Sequence, residues 1–139
     1  MRMRSDRGSM AVEFVIAVPG FLVLLLLVAA GGNWVSSSGQ VGAAASDAVR
    51  AASLARNVQE AGDVATTAAR DDLGGVCAGG GPQTHLTPIG STDFATATDV
   101  QVTVSCTVNL QAFRVIGFPV STTFTRTAVA PLDPFVQRS

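Results

Sequence analysis

The spacing of hydrophobic and polar positions along this chain changes character twice. From Phe14 to Ala30 the run FVIAVPGFLVLLLLVAA contains no charge, and a helix drawn through it is apolar all round. From Ser36 to Leu73 alanine dominates, and Val41, Ala45, Ala48, Val49, Ala52, Ala55 and Val58 recur at three- and four-residue steps. That spacing predicts an amphipathic helix with a small-residue face, leaving Asp47, Arg50, Arg56 and Glu60 largely off the stripe. After Asp99 the period falls to two: Val100, Val102, Val104, Cys106, Val108 and Leu110 alternate with polar residues, a half-buried strand carrying its cysteine on the inner face. A second alternating run, Phe118 to Ala130, puts Val120, Phe124 and Ala128 on one face, with Arg126 breaking it as at a sheet edge.

Punctuation fits these elements. Asn57 and Gly62 weaken or end the first part of the alanine-rich helix, and Gly74-Gly75 stop it. Glycine and proline dominate between Gly74 and Thr92, which reads as loop. Residues Gln111 to Gly117 suit a hairpin connection, a short strand near Phe94 precedes the hairpin, and Pro131 and Pro134 end the pattern. A two-stranded hairpin is marginal alone, and the alanine-rich helix is the available cover for its apolar face. The expected fold class is α+β, a long N-terminal helix on a small antiparallel sheet. The expected divisions are a basic leader over 1–8, a transmembrane helix over 9–33, the amphipathic helix over 34–75 and a β domain over 76–139.

The first apolar stretch sets the setting for the rest. A helix from Ala11 to Gly32 is about 33 Å long, enough to cross a hydrocarbon core of about 30 Å. Pro19-Gly20 reads as a kink, either incidental or functional. Trp34, just past Gly31-Gly32-Asn33, suits the interfacial aromatic belt. The single acid at the mouth of this stretch is Glu13. An ionised carboxylate at mid-bilayer costs about 2.5 to 3.5 kcal/mol and less near the interface, so such acids are usually partnered or functional. A cut after Gly8 would make Ser9 a free amino terminus four residues before Glu13, on the same helix face, and so give the acid a partner.

Gly8, the apolar segment beginning soon after it, and Glu13 as the fifth residue past the glycine resemble the processing site of type IV pilin-like proteins. The fuller string GSMAVEFVIAVPGFLVLLL is similar to the TadE-like family of the tight-adherence (Flp-type) pilus system. That resemblance covers about the first 30 residues. It implies a pilin-like layout, in which the alanine-rich helix continues the membrane segment into a stalk. It also implies cleavage between Gly8 and Ser9 by a membrane prepilin peptidase, and a minor pilin or pseudopilin role beside other pilin-like subunits and the assembly platform.

Charge gives a topology. All nine basic residues are arginine, and Arg2, Arg4 and Arg7 face only Asp6 in the leader, whereas residues 9–139 hold six arginines against nine acids. Positive flanks stay cytoplasmic, so the N-terminus is expected inside and the C-terminal part outside. In an oxidising exterior Cys77 and Cys106 read as a disulfide, closing a loop of about 30 residues worth roughly 3 to 4 kcal/mol; two unpaired cysteines are the alternative. The acidic exterior, with no lysine, offers no basic patch for nucleic acid.

Enzyme chemistry finds few parts here. His85 is the only histidine, read as a solvated loop residue. With Cys77 and Cys106 it lacks a close cysteine pair and a fourth ligand, so no metal site and no cofactor are expected. The glycines of GGVCAGGGPQ have no following Lys-Ser/Thr to make a phosphate loop. Asp71-Asp72 reads as a solvated helix end, and no nucleophile and base pair is evident. A different class of function remains open: an exported binding module whose first 30 residues are a signal peptide cut at Val28-Ala29-Ala30. Its apolar run is longer than usual and leaves Glu13 unexplained.

Overall fold

A computed structural model describes residues 6–109 and 120–137, with side chains from residue 12 onward in those ranges. Arg2 and Arg4 of the leader, Leu110, the Gln111–Gly117 connection and Phe118 lie outside the described residues.

The first helix, α1, is continuous over Asp6–Ser53, 48 residues and about 72 Å at about 1.5 Å per residue. Its two halves live in different surroundings. Residues 12–29 are all exposed, while Val41, Ala44, Ala45, Ala48, Val49 and Ala52 are buried. The break after Ser53 is built locally. Leu54 and Ala55 donate backbone hydrogen bonds to the carbonyls of Ala51 and Ala52, three residues back, which tightens the last turn. Asn57 then caps the next helix, α2 (Val58–Leu73), its Oδ1 accepting the Glu60 N–H at 2.8 Å. Glu60 reaches back in turn to accept the Arg56 N–H at 3.0 Å, so two otherwise orphan donors are satisfied reciprocally. Val58, expected on the buried stripe, is exposed instead. The break resets the helical phase, and α2 buries Ala61, Ala65, Ala69 and Leu73 at four-residue steps.

Three strands follow, β1 (Gln83–Ile89), β2 (Asp99–Asn109) and β3 (Ser121–Pro131), in the order β1-β2-β3 with both pairings antiparallel. Gln83 faces Ser105, Ile89 faces Asp99, and across the other edge Asp99 faces Pro131 and Asn109 faces Ser121. The segment expected to be loop therefore contains an edge strand, and His85 lies on β1, exposed, beside Thr87. The expected short strand near Phe94 is a turn instead. Asp93 Oδ1 accepts the Ala95 N–H there, and the turn tips the Phe94 ring into the core at 5% exposure.

The architecture is two layers, α1 and α2 over one face of the sheet. Val100, Val102, Val104, Cys106 and Val108 of β2 point at the helices and join their alanines, Phe124 and Leu132 in one core. Alanine at these helix positions lets the helix backbones approach closely, so a small domain fills its interior without large side chains. The opposite face of the sheet is polar. Thr103 pairs with Thr127 at 3.0 Å, Ser105 with Thr125 at 3.0 Å and Thr107 with Thr123 at 2.9 Å, three hydroxyl pairs across β2 and β3.

Candidate membrane-insertion and processing segment

Gly8 and Ser9, between which a cut is expected, are placed as helical backbone at the start of α1. Glu13 follows Ser9 by four residues in unbroken helix, one turn and about 6 Å along the axis. It is exposed, and no side chain among the described residues partners its carboxylate. Between Glu13 and Asp47 the chain carries no charged residue.

The apolar half of α1 is exposed at every position over residues 12–29. Phe14 is 72% exposed, and Phe21 and every leucine from Leu22 to Leu27 also stand in the open. A helix that is apolar all round and exposed in its own fold favours an apolar surrounding, since leaving a leucine in water forgoes about 1.5 to 3 kcal/mol. This is the one helix among the described residues long and apolar enough to cross a membrane. Pro19 sits inside it without ending it. Proline supplies no N–H, so the Val15 carbonyl lacks its usual donor four residues on.

Where α1 leaves this stretch, the folded domain meets it at once. The Trp34 ring packs edge-on against Phe124, centroids 5.0 Å apart at 75°. Ser37 is buried, and the Arg126 guanidinium donates to Ser38 Oγ. Arg126 thus breaks the apolar face of β3 because it ties this edge strand to the helix. Neither contact was visible from spacing alone; the interruption of an alternating face by one long cation was the available sign.

On the far side of α2, Cys77 and Cys106 form a disulfide, with Cα atoms 5.3 Å apart. It fastens the end of α2 to β2, next to the Ala78 N–H donating to the Thr107 carbonyl at 2.7 Å. The two sulfurs are therefore not available to a metal. His85 Nδ1 lies 3.3 Å from Thr87 Oγ1, and no group of three or more histidine, cysteine, aspartate or glutamate side chains converges among the described residues.

Comparison with known proteins agrees with the start of the chain. No curated protein and no solved structure matches it. A family model described as TadE-like protein matches residues 8–50, from Gly8 through the exposed apolar half of α1 and into its docked half. Residues 8–50 are thus similar to TadE-like proteins.

Proposed function

We propose that this protein is a non-enzymatic minor pilin or pseudopilin of a tight-adherence pilus or related secretion apparatus, held in the cytoplasmic membrane by residues 12–30. A prepilin peptidase cuts after Gly8, with residues 1–8 on the cytoplasmic side and the sheet domain outside. The observation that carries this is the conjunction of Gly8, Ser9 and Glu13 on one helix with the fully exposed apolar run that follows.

Cleavage makes Ser9 an ammonium one turn from Glu13. That ammonium, in the same chain or a neighbouring copy, offsets the cost of carrying a carboxylate to the edge of the lipid. The pairing sets the depth at which copies sit against one another and against the platform. A bend at Pro19-Gly20 lets the anchor lean within a bundle while α1 stays helical. The Cys77–Cys106 disulfide suits an exterior, oxidising location.

The test is to coexpress the full chain with the matching peptidase and sequence the product's N-terminus, expecting Ser9. Intact Met1 would sink the processing step, and a mature terminus at Gly31 would make the stretch a signal peptide. Glu13→Gln is expected to keep membrane insertion and to lose incorporation into the apparatus. Normal incorporation of that variant would remove the pairing role.

A further inference from the structure

We propose that the end of the sheet formed by Asn109 and Val120 faces the bilayer that holds α1 and rests in its headgroup layer. This depends on residues 12–30 being the span, and adds which end of the domain meets lipid.

Two contacts fix the direction of the strands. Trp34 meets Phe124, and four residues further along α1, Ser38 meets Arg126, two residues further along β3. Four helical residues advance about 6 Å and two strand residues about 6.6 Å, so α1 and β3 run the same way, outward from the apolar stretch. Antiparallel β2 runs back toward that stretch and ends at Asn109, opposite Ser121. A separate set of neighbours agrees. Val108 and Asn109 line one recess with Asn33 and Ser36 of α1 and with Gly75 and Val76 beyond α2. Ser37 and Gln40 line it too, so Asn109 stands beside the first two polar turns of α1 after the apolar run. The other end of the sheet, at Ile89, Asp99 and Pro131, is the length of β2 away, about 33 Å at about 3.3 Å per residue.

The chemistry at the near end suits lipid. Val35 is 71% exposed, Trp34 is half exposed and Val120 is exposed, although the outward face of the sheet is lined by hydroxyls. Exposed aromatic and aliphatic side chains beside the first polar turns of α1 fit the boundary layer between acyl chains and water. The continuous helix from span to domain holds this end against the interface without a separate binding step.

The experiment uses the sole tryptophan, relocated. In full-length Trp34→Phe protein reconstituted into phosphatidylcholine vesicles, a tryptophan is placed by Leu24→Trp, Val120→Trp or Val129→Trp, and quenching by chain-brominated lipid is measured. Trp34→Phe keeps an aromatic ring against Phe124, and all three new positions are exposed. The expected result is strong loss of emission at position 24, clear loss at position 120 to lipid brominated near the headgroup, and none at position 129. Quenching at 24 with none at 120, or equal quenching at 120 and 129, overturns the seating of the sheet end while leaving the span intact. Absence of quenching at 24 overturns the span itself, and the proposal with it.

Discussion

Removing the disulfide should loosen the domain far more than any single surface change. Cys77 and Cys106 are 29 residues apart in sequence. By chain-entropy arithmetic a cross-link over that span restricts the unfolded chain by about 12 cal/mol/K, or about 3.6 kcal/mol at 25 °C. The described domain from Trp34 onward is near 100 residues, for which each kcal/mol moves the melting temperature by about 4–8 °C, so the expected fall is roughly 14–29 °C. Cys77→Ala/Cys106→Ala also deletes a sulfur that is 1% exposed, adding a cavity term of about 1 kcal/mol. Wild-type protein unfolded under reductant keeps both sulfurs and isolates the entropic part. Trp34 is the only tryptophan and packs on Phe124, so its emission in detergent micelles reports release of the sheet from α1 while the anchor stays helical. A fall of less than about 5 °C in both samples would refute the reasoning, showing that the unfolded chain is already restrained over this loop.

Other substitutions test the packing and the turns. Leu73→Ala, at a fully buried site ending the apolar face of α2, should cost about 2–5 kcal/mol in denaturant titration, and a loss below 1 would mean that the alanine layer collapses around it. Asn57→Ala removes the cap of α2 and should cost about 1 kcal/mol, read as a lower midpoint with unchanged slope. Gly90 holds φ +88°, and a Cβ there would stand 2.7 Å from Thr98 Oγ1, which itself bonds the Ile89 carbonyl and Asp99. Gly90→Ala should therefore cost roughly 1–2 kcal/mol, and a neutral result would show that the β1–β2 turn relaxes freely.

How much of this was legible beforehand follows from what each segment buries. β2 was plain because it is the central strand, and every second side chain from Val100 to Val108 must be apolar to meet two helices. The apolar half of α1 was plain for the opposite reason, having nothing but lipid to satisfy. β1 was hidden because an edge strand needs only partial cover: Thr84, Leu86 and Pro88 turn inward, only half-buried, and a proline together with flanking glycines argues for loop. The end of α1 was signalled by Asn57 with Glu60 three residues on, but alanine-rich spacing continues across the break and carried Val58 onto the wrong face. Of the candidate site, the order Gly8, Ser9, Glu13 came from the chain alone. The meeting of Trp34 with Phe124 and of Ser38 with Arg126 joins residues about 90 positions apart, and local spacing holds no record of such pairs.

The unbroken course of α1 from lipid into the domain makes the molecule a lever. From Trp34 to Ser53 the helix extends about 29 Å beyond the membrane exit, clamped along that length to α2 and the sheet. With no joint between anchor and head, a lean of about 10° in the bilayer swings the far end by roughly 5 Å, and a turn of the anchor about its axis turns the whole head with it. Whatever grips the apolar half of α1 therefore also aims the domain packed on its other half.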